Sequence, residues 1–196
     1  MRNSRAGLLL TVVVVGCLLA TPFAASAVTT SATDVGVTAG VLAAGVSSRA
    51  IVGTPTVTPL ALPANATNTT LTGTMAVTVA EIAMTGSASW SVTAQLKNDF
   101  TGPSGATIAS SALHLAPSSP TVVGLASGVS AAAGSAGALT KASSGGTAVT
   151  LFSVSGESTA GLYDGTYTGN GALTLTVPNG STAGTYTSTM TVTLTY

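Results

Sequence analysis

The chain has 196 residues, and only 5% of them carry a charge, five basic and five acidic. So few charges exclude the basic surface by which proteins bind nucleic acid, and they leave little to attract an anionic membrane. A single histidine and a single cysteine also exclude a zinc site built from histidine and cysteine ligands.

A secretory signal peptide is predicted for residues 1–27. Two arginines precede the apolar stretch 7–20, and Ala25-Ser26-Ala27 supplies the small-residue pattern that signal peptidase recognises. The stretch is too short, and too closely followed by the cleavage pattern, for a membrane anchor. We expect cleavage between Ala27 and Val28. Removal of these 27 residues from the 196 leaves a secreted mature protein of 169 residues, with no integral membrane segment.

Cys17 offers an alternative way of processing the N-terminus. Val14-Val15-Gly16-Cys17 resembles a lipidation site, at which the cysteine would become the new N-terminus. The apolar run continues past it through Leu18-Leu19-Ala20, whereas lipoproteins usually turn polar there. If Ala27 is the cleavage site, the mature protein has no cysteine. A disulfide within one chain is then excluded, and the fold must rest on its core.

Period-two alternation of apolar and polar residues predicts strands in four stretches of the mature chain. These stretches are 71–79, 90–97, 173–177 and 186–196. In the last of them every position opposing the apolar side, from Thr187 to Thr195, is threonine. Threonine is β-branched, so it favours a strand while its hydroxyl stays hydrated.

Turn residues separate these strands. Pro178-Asn179-Gly180 stands between the last two, and Asp164-Gly165 and Asn170-Gly171 indicate a further hairpin. Three prolines make 54–65 an edge segment or a connection. The segment 126–148 is rich in small residues and is either a flexible binding loop or a plain low-complexity connection.

Short strands with frequent turns and no alternating helices predict an all-β fold. We expect a single domain over residues 28–196, an antiparallel β-sandwich of the immunoglobulin-like or a related type.

We expect no enzymatic activity, no metal ion and no other cofactor. The lone His114 lies in the apolar stretch 112–115, where a histidine is more often structural than a general base. No G-x-S-x-G motif accompanies the serines. The acidic residues of the mature chain are scattered singly rather than clustered as calcium ligands. Lys97-Asn98-Asp99 is accordingly interpreted as a turn.

Two segments resemble the WxL domain of Gram-positive surface proteins. In the first, 75–101, a strand that ends at Glu81 is followed by Gly86 and by Trp90-Ser91-Val92-Thr93. The family has Gly-Trp-x-Leu-Thr at this place. Phe100 follows, as a phenylalanine does in the family.

The second segment, 173–196, resembles the closing strand of the same family. Gly184-Thr185-Tyr186 matches its Gly-x-Tyr, and Val192-Thr193-Leu194 lies where the family has a second Trp-x-Leu. Valine therefore replaces leucine at Val92 and tryptophan at Val192, as in a divergent member.

The resemblance implies a β-sandwich that binds peptidoglycan, or another cell-wall polymer, non-covalently at the cell surface. It places the wall-binding motif at Trp90, Val92, Val192 and Leu194. Trp90 has two interpretations. Its ring could stack on a sugar or a wall peptide, or it could belong to the core, because it shares a strand face with apolar residues.

Two functions remain open on these grounds. One is a wall-binding module, and the other is a structural or adhesive surface subunit, pilin-like or part of a coat, whose partners are other surface proteins. Both fit an exported β-sandwich without a catalytic set. The uncharged, threonine-lined strands could also pair edge to edge, because they carry few charges to prevent it.

Overall fold

A computed structural model describes residues 8–18, 48–52, 55–57, 70–84, 89–124, 128–156, 163–178, 181 and 185–195. Within them it contains thirteen strands: β1 (Leu8–Leu18), β2 (Ser48–Ile51), β3 (Thr56–Val57), β4 (Thr70–Met84), β5 (Trp90–Leu96), β6 (Phe100–Thr101), β7 (Thr107–Ile108), β8 (Leu113–Val123), β9 (Ser130–Ala133), β10 (Gly137–Ala138), β11 (Val149–Ser155), β12 (Tyr163–Thr176) and β13 (Thr185–Thr195). Three short 3₁₀ helices complete the described elements. No helix among the described residues is long and apolar enough to cross a membrane.

The strands form two antiparallel sheets that pack face to face. The first sheet has the order β7-β6-β13-β5-β11-β9, with β1 on β13, and the second has the order β10-β8-β12-β4-β2, with β3 on β4. This arrangement confirms the predicted all-β sandwich. The four stretches predicted from alternation correspond to β4, β5, β12 and β13, although Lys97 and Val177 lie just past the ends of their strands and Tyr196 lies outside the described residues.

Alternation along the strands builds the core between the sheets. In β5 every second residue is buried from Trp90 to Leu96, and in β13 the same holds from Tyr186 to Leu194. Each large apolar side chain moved from water into this core contributes about 1.5–3 kcal/mol. In β11 a register shift between Thr150 and Phe152 breaks the alternation, so that Leu151 and Phe152 are both buried.

The turns predicted at Asp164-Gly165 and Asn170-Gly171 are wrong. Both pairs lie inside β12, which continues across them while paired with β4. The glycines of β12 serve close packing instead. A Cβ at Gly169 would lie 2.2 Å from Cδ1 of Phe152, and one at Gly171 would lie 2.5 Å from Cδ1 of Leu115. Lys97-Asn98-Asp99, interpreted from the sequence as a turn, forms a bend between β5 and β6.

The small-residue segment 126–148, of which 128–148 is described, is not entirely without regular structure. It contributes β9 to the edge of the first sheet and β10 to the edge of the second. Val129 and Leu139 from this segment are buried in the core. The small side chains therefore lie in short edge strands on both sheets.

We predict that Gly169→Ala destabilises the protein by about 1–3 kcal/mol, because the added methyl group overpacks the site against Phe152. A glycine-to-alanine change that causes no clash would instead stabilise, by about 0.4–1 kcal/mol through the unfolded state. Denaturant unfolding measures the difference. The matched control is Asn170→Ala, one residue along on the outward side of β12, where we expect a change within about 0.5 kcal/mol. A neutral or stabilising Gly169→Ala would contradict the packing.

Candidate functional site

The four residues of the wall-binding motif lie together in the core. Trp90 is 2% exposed, and Val92, Val192 and Leu194 are fully buried. The two motif segments are neighbours, because β5 pairs with β13 in a register that sets Val92 opposite Leu194. A polymer in solution therefore meets none of these four side chains, and their contribution here is packing.

Trp90 is surrounded by aromatic rings from both sheets. Its ring centroid lies 5.6 Å from that of Phe152 on β11 and 5.0 Å from that of Tyr167 on β12, both in edge-to-face geometry. Such pairs contribute about 0.5–1.5 kcal/mol each beyond the burial of their area. The tryptophan thus joins the two sheets at one end of the sandwich.

A buried ion pair lies against the same ring. The guanidinium carbon of Arg49, on β2, lies 5.0 Å from the centroid of the Trp90 ring. Nε of Arg49 donates a hydrogen bond to Oε1 of Glu81, the residue opposite it on β4. The two side chains are 1% and 0% exposed. The attraction between the two charges offsets part of the cost of burying them, since removing an isolated ion from water would cost several kcal/mol.

Sequence reasoning did not single out Arg49. It did assign Glu81 and Trp90 to one family-like segment, and the structure joins them through this arginine. One signal was available, because Arg49 is one of only five lysine and arginine residues in the chain and directly precedes Ala50-Ile51. A charge beside apolar residues in a nearly uncharged chain indicates a specific partner.

The outer face of the first sheet is lined with uncharged polar side chains. We call this surface the hydroxyl face. Two of its rows run across three neighbouring strands: Thr193, Thr93 and Thr150 form one, and Thr195, Ser91 and Ser153 form the other. Thr191 and Gln95 form a third pair. All eight side chains are partly or fully exposed. On the outer face of the second sheet the polar side chains are less continuous, because alanines stand between them at 76, 80, 116 and 172.

A small polar depression lies where the bend between β5 and β6 moves away from β13. It holds about 180 Å³ and is lined by Asn98, Asp99, Thr101, Thr187, Ser188 and Thr189. The hydrogen bond from the Lys141 ammonium, followed by that from the backbone N–H of Ser110, keeps the pKa of the Asp99 carboxyl below its ordinary value of 3.8. The carboxylate thus connects the bend to Lys141 and to the backbone of Ser110.

No described group of three histidine, cysteine, aspartate or glutamate side chains could hold a metal ion. His114 is exposed on β8, and its closest sheet neighbour on β12 is Thr174. The cleavage site at Ala27 and Val28 lies outside the described residues. Cys17, the alternative lipidation site, lies in β1, whose backbone pairs with β13.

Comparison with known families, with curated proteins and with solved structures found no match.

We predict that Arg49→Met destabilises the protein by about 3–5 kcal/mol, because it leaves the Glu81 carboxylate buried without its counter-ion. The double variant Arg49→Met/Glu81→Met should recover most of this loss, since an apolar pair of similar volume removes both charges at once. Denaturant unfolding of the two single variants and the double variant measures the coupling. If the losses of unfolding free energy in the two single variants simply added in the double variant, a direct ion pair would be contradicted.

The ion pair of Asp99 predicts a pH-dependent contribution to stability. Because the folded-state pKa of Asp99 is lowered, the carboxylate stabilises the fold above its ordinary pKa, and this contribution is lost as pH falls through the folded-state pKa. Asp99→Asn should therefore lower the melting temperature at neutral pH, by an amount that shrinks below pH 3.8. In a Lys141→Met background the effect of Asp99→Asn should be much smaller. A pH-independent difference would contradict the assignment.

Proposed function

We propose that the mature chain is a secreted, non-enzymatic surface protein that associates non-covalently with the bacterial cell wall through its hydroxyl face. The observation that carries this proposal is the pair of hydroxyl rows across β13, β5 and β11. The predicted signal peptide and the resemblance to the WxL domain support export and a wall ligand. Peptidoglycan, or another cell-wall polymer, is the proposed partner.

The chemistry of the hydroxyl face suits a polymer of sugars and peptides. Hydroxyl and amide groups exchange hydrogen bonds with similar groups on a ligand, each contributing about 0.5–1.5 kcal/mol net. Strands lie about 4.8 Å apart, and residues on one face repeat every 6.8 Å or so along a strand. The face is therefore a regular array of weak contacts, which suits a repeating ligand.

The charges of the described residues lie outside the hydroxyl rows. Arg49 and Glu81 are buried with each other, Asp99 and Lys141 are paired beside the bend, and Asp164 lies in β12 of the second sheet. Lys97 follows β5 at the border of the face. Binding by the hydroxyl face needs no charge to lose its hydration. It should therefore depend only weakly on salt, unlike a contact between opposite charges.

We predict that the mature protein co-sediments with purified Gram-positive peptidoglycan at both low and high salt. The triple variant Thr93→Val/Thr191→Val/Thr193→Val should pellet much less. It removes three hydroxyls at nearly constant shape, and valine favours the strand as threonine does. The bound fraction at several peptidoglycan concentrations gives the change in apparent affinity.

Two controls separate the hydroxyl face from the fold and from the motif. The matched triple variant on the outer face of the second sheet is Thr72→Val/Thr166→Val/Thr174→Val, and it should pellet like the parent. Trp90→Phe, at a buried position, should also pellet like the parent as long as it remains folded. Failure of the folded parent to pellet at either salt would overturn wall binding. Equal losses in both triple variants would overturn the assignment to the first sheet.

A second function, a structural or adhesive surface subunit, is favoured by one specific observation. β13 is the longest strand of the first sheet together with β1, and among the described residues one of its two edges is covered by β1 alone. In the proposed processing β1 belongs to the signal peptide. Its removal would leave that edge of the sheet open for pairing with another chain.

A further inference from the structure

The outer edge of β13 is built to accept a strand. β1 and β5 both pair with residues 190–194 of β13, so they must lie on opposite edges of it. The pairing with β1 extends from Thr185 to Leu194 in antiparallel register, with one shift between Val15 and Cys17. The edge is thus regular along almost its whole length.

The backbone groups that face this edge can be identified. The N–H of Lys97 donates to the carbonyl oxygen of Thr189, so the backbone polar groups of Thr189 face β5 and its flanking bend. The N–H and C=O of one residue point to the same side of an antiparallel strand, and the side alternates from residue to residue. The backbone groups that face β1 therefore belong to Tyr186, Ser188, Met190, Val192 and Leu194.

We propose that removal of the signal peptide exposes this edge, and that a second copy of the chain fills it by antiparallel pairing of β13 with β13. The proposal rests on the processing and export given under the proposed function. It adds the partner and the interface, a sheet that continues through two molecules.

The sequence of β13 makes it complementary to itself. Antiparallel pairing about a twofold axis through any one of its residues sets odd positions opposite odd and even opposite even. The threonines of one copy then face those of the other, and core-facing residues meet core-facing residues. A slip by one residue would turn one apolar face outward, which strongly disfavours the other registers. β13 also carries no charge, so two identical edges do not repel each other.

Most of the other described edge strands of the sandwich are short. β2 and β9 have four residues each, and β3, β7 and β10 have two, whereas β13 has eleven. β10 covers only two residues of β8, but the rest of that edge, residues 116–123, contains Pro117 and Pro120. Short strands and prolines are common protections of a sheet edge against pairing with other chains. One long edge without proline per molecule, used by both copies in the same way, closes at a dimer and does not continue into a fibre.

The test measures the mass of the mature protein, beginning at Val28, in solution without wall material. We expect a mass that doubles with rising concentration. Single-cysteine variants Thr189→Cys, Thr191→Cys and Thr193→Cys locate the axis, because the mature chain has no other cysteine. A cysteine on the axis lies opposite its own copy, within reach of a disulfide, whereas a position two residues away does not. One variant, or one mixed pair of variants, should cross-link under mild oxidation.

Two controls make the result specific to the edge. Thr93→Cys lies on the same face, but in the interior of the sheet, and it should not cross-link. The uncleaved chain, with Cys17→Ala, should remain monomeric because β1 covers the edge. A mature protein that is monomeric at its highest soluble concentration and forms no cross-link would overturn the proposal. So would a monomer that dimerises only when residues 28–47 are deleted, since the chain's own N-terminal segment would then be the occupant.

Failure of this inference can be told apart from failure of the proposed function. Wall binding is measured by pelleting and dimerisation by mass, so either can fail alone. Intact mass of the exported protein gives a third measurement. If the exported protein still contained residues 1–27, the proposal of an exposed β13 edge would be overturned, whereas the proposal for the hydroxyl face would stand.

Discussion

A single alternation along β5 and β13 divides these strands into a buried side and a hydroxyl side. Trp90, Val92, Val192 and Leu194 are on the buried side, and the threonines and serines between them form the hydroxyl face. Because side chains repeat every two residues, a register error of one would exchange the two sides completely. The core, the proposed wall contact and the self-pairing of β13 all depend on this one register.

The cluster of Glu81, Arg49 and Trp90 adds a polar element to an otherwise apolar core. It lies at the start of β5, where β2 and β4 come close to the tryptophan that joins the sheets. A buried ion pair is weak evidence of stability, since an apolar pair often does as well. Its clearer consequence is positional. Arg49 and Glu81 are opposite each other only in one register of β2 against β4, so the pair penalises every other pairing of that short edge strand.

The sequence predicted the sandwich and its four clearest strands because their alternation is regular and long. It misplaced the turns at 164–165 and 170–171, since Asp-Gly and Asn-Gly are strong local signals for a turn. The tertiary structure overrides these signals, because the space that Phe152 and Leu115 occupy needs glycine at 169 and 171. Arg49 was missed for a related reason. Its partner is 32 residues away along the chain, and only the pairing of β2 with β4 brings them together.

The buried position of Trp90 changes what the divergence from the family-like pattern implies. If the tryptophan were a contact residue, a valine at 192 would remove part of a binding site. In this sandwich Val192 packs beside Ala94 and Leu194 beside Val92, where any apolar residue of suitable volume serves the core. Substitution there is a question of packing, and the hydroxyl face between these positions stays unchanged. A chain can therefore depart from Trp-x-Leu at both motifs and retain the surface that we propose to meet the wall.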